Sequence, residues 1–279
     1  MCVPLVPNLL AIETTDDLFW YRPRLAATAF DGDVLDDAIA IRYLTQSKFE
    51  RFVRSSAVHL RRHDLLREID AKEGAVAALN LALDAVVAAK YGNLDAKQRE
   101  LQRQVYEEVW LAQAFVACFN LDGDESPAMY DKYIRDDNGV AIFTTVGRIR
   151  ELCEGDGGSG GGKDAVIAPV QYIDFENHAM TESDFDFPAY YKRSRFADEH
   201  ELRFMVRYRI GNMHGGYGVY GARWPSGEYR PVDLHHFVTR IAIAPQSRPG
   251  YERVVTALLE RNHIDIPVAW SRFPRIDRR

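Results

Sequence analysis

The sequence predicts an α+β protein with one domain over residues 1–279 and a mixed or antiparallel central sheet. Two observations support this class. Short runs of β-branched and aromatic residues are spread along the whole chain, bounded by turn-forming residues. One helical block, over residues 64–114, interrupts these runs early in the chain. A hydrophobic content of 47% over 279 residues is enough for a full core.

The first predicted elements follow a strand–helix–strand order. Residues 38–44 form an apolar, β-prone run, and Thr45 or Ser47 can cap a helix in which Phe49, Phe52 and Val53 are at helical spacing. A second short strand is predicted over 58–60. These elements precede the helical block.

The helical block predicts an inserted hairpin of two helices. Residues 73–90 are rich in Ala, Leu and Val and predict a helix buried on most sides. A break follows at 91–93, and Asp95 caps the next helix, which ends near Gln113. We therefore expect residues 64–114 to be an insertion between early and later strands.

The rest of the chain alternates short strands and helices. Proline at the first helical position makes Ser126-Pro127 a strong helix start. Six glycines within 155–162 predict a flexible surface loop inside the domain. Further elements are predicted as strands at 115–119, 140–145, 165–175, 239–244 and 266–270, and helices at 128–135, 147–153 and 249–262.

Composition limits the possible functions. The net charge of -6 argues against a surface that coats nucleic acid broadly, although it is compatible with a local basic cleft. The three cysteines are too few and too scattered for a disulfide framework. The first residues lack the basic leader of a secretion signal, and no apolar run approaches the ~18 residues that span a bilayer. We therefore expect a cytoplasmic protein with no membrane partner. The sequence indicates no particular oligomeric state.

Residues 192–206 carry the strongest site signal, because a charged stretch runs directly into an apolar, β-prone one. If a strand begins near Glu199, its period of two places Glu199, Glu201 and Arg203 on one face. The opposite face then carries Leu202, Phe204 and Val206. Charged groups in such a position need water, one another or a ligand as partners.

Several stretches occur in order along residues 40–272 and together resemble a mostly bacterial family, domain of unknown function 2971. These stretches are residues 42–44 with 48–49, 126–133, 139–148, 170–174, 192–203 and 241–271. The chain departs from the family at Tyr130, where the family often has Trp, and in its helical insertion. The resemblance implies no particular activity, fold or cofactor.

The order of Arg42, Thr144-Thr145 and Glu199-x-Glu201 resembles that of the arginine-type ADP-ribosyltransferases. This resemblance implies NAD as cofactor and Glu201 as the catalytic carboxylate that stabilises an oxocarbenium-like ribose. Glu199 would orient the acceptor, a protein or nucleic acid. Arg42 would bind the pyrophosphate, and the two threonines would shape the nicotinamide pocket.

Three other residues complete the predicted cofactor site: Tyr133 can stack on a ring, and Lys192 and Arg203 can hold charged groups. Two alternatives stay open. One is a Mg²⁺-dependent nuclease of a toxin or defence system, in which Glu199, Glu201 and Lys192 act with the ion and Asp174, on the neighbouring predicted strand, is the candidate third acidic ligand. The other is a non-catalytic interaction protein in which the charged residues form a structural ion-pair network.

A locally basic stretch follows the first predicted helix, with arginines at 51, 54, 61, 62 and 67. Such a stretch is typical of a solvated helix face. The alternative is a patch that faces phosphate groups near Arg42.

Overall fold

The fold is taken from a computed structural model. It describes residues 34–78, 81, 111–135, 138–153, 163–178, 180, 188–208 and 225–274. The predicted glycine-rich loop at 155–162, and residues 82–110 of the predicted insertion, lie outside this part of the chain.

The described residues form eleven strands and five α-helices. The strands are β1 (Ile39–Thr45), β2 (Ala57–Arg62), β3 (Ala114–Asn120), β4 (Gly139–Thr145), β5 (Lys163–Pro169), β6 (Gln171–Ile173), β7 (Tyr191–Arg193), β8 (Glu201–Tyr208), β9 (Gly227–Pro231), β10 (Arg240–Ile243) and β11 (Val268–Trp270). The helices are α1 (Gln46–Ser55), α2 (Pro127–Tyr133), α3 (Val146–Arg150), α4 (Leu234–Phe237) and α5 (Tyr251–Arg261).

Nine of these strands form one sheet, which confirms the predicted α+β class with a mixed central sheet. The order along the sheet is β11-β10-β4-β1-β3-β2-β9, and β8 pairs with both β3 and β5. Every pair is antiparallel except β10 with β11. Strands β6 and β7 pair in parallel as a separate ribbon.

Strand β3 is where the two halves of the sheet meet. One edge of β3 pairs with β8 along its whole length. The other edge meets β1 at Asn120 and β2 at Phe115 and Val116. Because β1 and β2 share that edge, they diverge from each other, and the gap between them must be filled by side chains.

The sheet is covered on two faces by different parts of the chain. Helices α1 and α5 pack on the first face through Phe49, Phe52, Val255 and Leu259. On the second face, α2 packs beneath β1 and β4, while residues 188–193 pack beneath β3 and β8. Side chains alternate between the faces, so each strand contributes to both.

Two local predictions about helices are wrong. The helix predicted over 249–262 places Val254 inward together with Leu258 and Leu259. The side chain of Val254 is instead 48% exposed, because Tyr251, Val255 and Leu259 form the buried stripe of α5. Residue 73 was expected inside a helix, but a 3₁₀ turn over His63–Glu68 is followed by non-helical turns. Within the described ranges, no helix has the length and apolarity needed to cross a membrane.

Candidate functional site

Strand β8 begins two residues later than predicted, because the chain turns sharply before it. Ser194–Glu199 forms a 3₁₀ turn, and His200 adopts a left-handed backbone with φ of 38°. Glu199 therefore lies outside the strand, and the prediction that it shares a strand face with Glu201 is wrong. Its side chain is nevertheless buried, at 3% exposure.

The predicted division of β8 into two faces is confirmed from Glu201 onward. Leu202, Phe204 and Val206 join the core of the first face. Glu201 and Arg203 point to the second face, where their exposures are 3% and 1%. Two opposite charges are therefore held inside the protein, where they need complete sets of partners.

Both carboxylate oxygens of Glu201 have a cationic partner. Nε of Arg203 donates to Oε1 at 2.5 Å, and Nζ of Lys192 donates to Oε2 at 3.0 Å. The Tyr172 hydroxyl accepts a hydrogen bond from the backbone N–H of Glu201 at 2.8 Å. Tyr172 and Lys192 are register partners in the β6–β7 ribbon, so this ribbon brings both to Glu201.

The guanidinium of Arg203 extends the network deeper into the protein. It donates to the carboxylate of Glu73 and to the backbone oxygen of Ala189. The ring of His63, which is fully buried, places Nε2 at 3.3 Å from Oε1 of Glu73. Glu73 is thus an acid near the start of the predicted insertion, and it ties this segment to the middle of β8.

Glu199 is held by two lysines on different elements. One oxygen pairs with Lys132 on α2, and the other pairs with Lys192 on β7. The side chain of Lys132 is 30% exposed, whereas Glu199 beneath it is closed off from solvent. Lys132 therefore forms part of the boundary between the acidic pair and solvent.

The electrostatics keep the carboxylates of Glu201 and Glu73 ionised. Burial favours the neutral acid, but the charges of Arg203 and Lys192 hold the pKa of Glu201 well below its ordinary range. Burial is likewise overcome for Glu73, where Arg203 and His63 lower the pKa to about 2. Burial also opposes the charge of Lys192, yet Glu201 raises its pKa above the ordinary value. Glu201, Glu73 and Lys192 are therefore charged at neutral pH.

Aromatic rings surround the solvent side of the acidic pair. Tyr133 stacks on Tyr43 with ring centroids 6.5 Å apart, and burial and the negative charge of Glu199 raise its pKa. The ring of Phe196 has the ammonium groups of Lys132 and Lys192 at 4.9 and 5.0 Å from its centroid. With Tyr172, these rings form what we call the aromatic rim: Tyr133, Tyr172 and Phe196.

Three predicted site residues are not brought to this place. Arg42 lies on the same face of β1 as Ala40 and Leu44 of the first-face core, and Thr144 lies on the same face of β4 as Val140 and Ile142 of that core. The predicted common pocket with Glu201 is therefore wrong, since the sheet itself separates these side chains from Glu201. Thr145 is the N-cap residue of α3, where its hydroxyl accepts a hydrogen bond from the backbone N–H of Arg148.

Arg42 has a structural partner instead. Its guanidinium donates to the backbone oxygen of His59 at 2.7 Å and lies 5.5 Å from the ring centroid of Phe119. It thereby bridges β1 and β2 at the point where they diverge from β3. Burial lowers its pKa to about 10, so it remains charged at neutral pH.

The acids do not fit a magnesium site well. No group of three or more metal-binding side chains occurs within the described ranges. Glu199 and Glu201 are each neutralised by cations, which a divalent ion would have to displace. Asp174, a possible third acidic ligand, accepts hydrogen bonds from Glu176 and Asn177 in its own turn.

Four site residues were missed by the sequence interpretation: Glu73, Lys132, Tyr172 and Phe196. Glu73 was hidden inside an alanine-rich run that resembles a helix. Lys132 and Tyr172 lie in the stretches 126–133 and 170–174, which carry the resemblance to domain of unknown function 2971. Their location in those two stretches was the one feature of the sequence that pointed to Lys132 and Tyr172.

A comparison of the chain with protein-family models, curated proteins and solved structures finds no match in any of the three.

Proposed function

We propose that the protein is a nucleotide-directed enzyme that acts on NAD or a related nucleotide, with Glu201 as its catalytic carboxylate. One observation carries the proposal: a buried acidic pair, Glu199 and Glu201, lies behind an aromatic rim and an accessible lysine, and the pKa of Glu201 is held well below its ordinary range. Rings and ammonium groups are the partners that a nucleotide's base and phosphates require.

The state of Glu201 suits the cleavage of an N-glycosidic bond. When the bond between nicotinamide and ribose breaks, its electron pair leaves with nicotinamide and positive charge develops on the ribose. A carboxylate that stays ionised and is fixed before the reaction stabilises that charge. Arg203 and Lys192 give Glu201 both properties.

The route to the acidic pair involves Lys132 and Phe196. In this proposal a phosphate group attracts the ammonium of Lys132 away from Glu199, and a ring of the nucleotide packs against Phe196. Glu199 then becomes available to orient an acceptor, which is a protein or nucleic-acid group. Arg42 has no part in binding here, and Lys132 and Lys192 take its place.

We place this activity in the cytoplasm, where thiols such as that of Cys118 stay reduced. The resemblance to the arginine-type ADP-ribosyltransferases is kept only for the acidic pair. The wider resemblance to domain of unknown function 2971 remains a prediction.

A second candidate function is a non-catalytic interaction protein in which the same network only supports the fold. Charge balance favours it, since three acids, Glu73, Glu199 and Glu201, face three cations, Arg203, Lys192 and Lys132. A network closed in this way is stable without a ligand.

The experiment that separates the two uses the full chain and NAD labelled in the nicotinamide ring and, separately, in the adenylate phosphate. Released nicotinamide and transferred label are measured, and binding of NAD, ATP and AMP is followed by titration calorimetry. We expect binding and turnover by the native chain. Absence of both, in a protein that is folded by circular dichroism, would reject the enzyme proposal and leave the second candidate.

Variants locate the activity. Glu199→Gln and Glu201→Gln are expected to lower turnover by about 10²–10³, as the loss of an electrostatic stabiliser does. Asp198→Asn is the matched control, because Asp198 is an exposed carboxylate next to Glu199. Since Glu201→Gln removes a buried charge, Tyr133→Leu at the rim provides a milder variant, expected to weaken nucleotide binding in a protein that still folds.

A further inference from the structure

Helices α1 and α5 lie side by side on the first face of the sheet and contribute no residue to the acidic pair, Glu199 and Glu201. Two surface concavities of about 380 and 320 Å³ lie along them and share Glu50 and Arg54. Together they form one groove that runs along α1 and onto α5. Its side chains come from positions three or four residues apart, so they share one surface of each helix.

The lining of this groove is strongly basic. We call its four arginines, Arg51, Arg54, Arg253 and Arg261, the arginine groove. Glu50 is the one acid among the lining residues, which leaves a formal charge of three positive units. The whole chain, by contrast, carries -6.

Most of the positive charge in the arginine groove is uncompensated. Glu50 lies 3.4 Å from Arg54, and both side chains are partly exposed. In the part of the chain that the structure describes, no ion pair joins Arg51, Arg253 or Arg261 to an acid, and all three are exposed. Four guanidinium groups that line one groove with a single acid among them repel one another unless an anion lies between them.

The positive region continues beyond the groove toward β2. Burial, and then the charges of Arg42, Arg51, Lys48 and Arg61, lower the pKa of His59 to about 4. The charge of Arg51 in the groove therefore acts on His59 of β2, together with the charges of the other three cations. The positive potential of the arginine groove thus extends as far as the ring of His59.

We propose that the arginine groove binds the phosphate backbone of a nucleic acid. Arginine forks bind phosphate oxygens in bidentate fashion, and a concave surface follows a strand better than a flat bilayer. The apolar floor, with Val254 and Leu258, contacts the sugar edges. No aromatic side chain lines the groove, so recognition depends on phosphates and not on stacked bases.

The test is fluorescence anisotropy with a labelled single-stranded oligonucleotide and its duplex, measured on the full chain between about 50 and about 200 mM salt. We expect affinity for at least one of them to fall roughly a hundredfold over that range, as for about four phosphate contacts. No binding at about 50 mM salt would overturn the proposal. So would tighter binding to phosphatidylserine vesicles than to either oligonucleotide.

A charge-matched pair of variants assigns the site. The triple variant Arg51→Gln, Arg253→Gln and Arg261→Gln is expected to weaken binding at least tenfold and to reduce the salt slope by about two to three. The control removes three charges outside the groove, in Lys72→Gln, Arg248→Gln and Arg272→Gln. Equal losses in both proteins, or unchanged binding in the groove variant, would overturn the assignment.

A single substitution supplies a result in the opposite direction. Glu50→Gln removes the one acid of the groove lining and is expected to strengthen oligonucleotide binding several-fold at low salt. Weaker binding by this variant would contradict the proposal. This outcome is independent of NAD turnover, so the groove and the acidic pair can fail separately.

Discussion

Glu201 and Arg203 are two residues apart on β8, and Nε of the arginine donates to Oε1 of the glutamate at 2.5 Å. The strand period of two places them on the same face, where both are almost fully removed from water. Arg203 also binds Glu73 and the oxygen of Ala189, so one guanidinium joins three parts of the chain. The candidate site depends on this one side chain for its shape.

Removing Arg203 should therefore destabilise the protein strongly. In Arg203→Leu, Glu201 and Glu73 stay buried without their main cation, and we expect a loss of about 3–5 kcal/mol in the free energy of unfolding. Urea unfolding followed by circular dichroism measures this difference. Arg195→Leu is the control, because Arg195 is exposed and its guanidinium lies 4.6 Å from the ring centroid of Phe196 without pairing with the buried acids. Its effect should stay within about 0.5 kcal/mol. A loss below about 1 kcal/mol for Arg203→Leu would mean that water reaches the network.

The sequence predicted the part of this site that follows from local periodicity. The apolar alternation after Glu201 fixed which side of β8 faces the main core, and the helix start at Ser126-Pro127 fixed α2. The partners of Arg203 depend on how distant segments fold back, which no local pattern encodes. Glu73 is 130 residues away from Arg203 in sequence and was assigned to a helix.

Acid should unfold the protein through its buried carboxylates. The pKa of Glu73 falls from an ordinary 4.5 to about 2 in the folded chain, and that of Glu201 is also depressed. Between these values the unfolded state binds more protons, so the stabilisation is complete above about pH 4.5 and is lost as the pH falls toward 2. Glu73 alone accounts for on the order of 3 kcal/mol. Urea unfolding at a series of pH values measures the slope.

The slope should depend on which acid is removed. Glu73→Gln lowers stability at neutral pH but is expected to flatten the dependence between pH 4.5 and about 2, because one depressed pKa is lost. Asp198→Asn should leave the dependence unchanged. An unaltered slope in Glu73→Gln would show that Glu73 is not held by Arg203 in solution.

Arg42 should matter for stability and not for nucleotide binding. It donates to the backbone oxygen of His59 across the gap between β1 and β2. Arg42→Gln loses a charge-assisted hydrogen bond, for which we expect a cost of about 1.5–3 kcal/mol. Titration calorimetry with NAD should give an unchanged Kd. A large loss of NAD affinity with unchanged stability would instead return Arg42 to the binding site.

The sequence allows the face of β1 on which Arg42 lies to be predicted, but it does not reveal the gap between β1 and β2 that Arg42 fills. Strand alternation places Arg42 with Ala40 and Leu44, which are typical core residues. The sequence gives no sign that β1 and β2 share one edge of β3, because that arrangement depends on long-range pairing. A buried arginine in a strand can therefore mark a junction in a sheet as well as a ligand site.

His59 should titrate far below an ordinary histidine. Its pKa is lowered from 6.5 to about 4 by burial and by four nearby cations, Arg42, Arg51, Lys48 and Arg61. As the pH falls from about 6.5 to about 4, His59 becomes protonated in the unfolded state but stays neutral in the folded state. His59 therefore lowers the free energy of unfolding over that pH range and does not affect it above about 6.5. NMR titration of the ring protons, assigned with His59→Gln, measures the midpoint.

Salt separates the two causes of the shift in His59. Added salt screens the cations but does not change burial, so the midpoint should rise with ionic strength and stay below 6.5. Arg51→Gln should also raise the midpoint at low salt, whereas Arg248→Gln should not, because Arg248 is absent from the groups that act on His59. A midpoint near 6.5 in the native chain at low salt would mean that these cations are not held beside the ring in solution, since four cations beside a half-buried ring must disfavour its protonation.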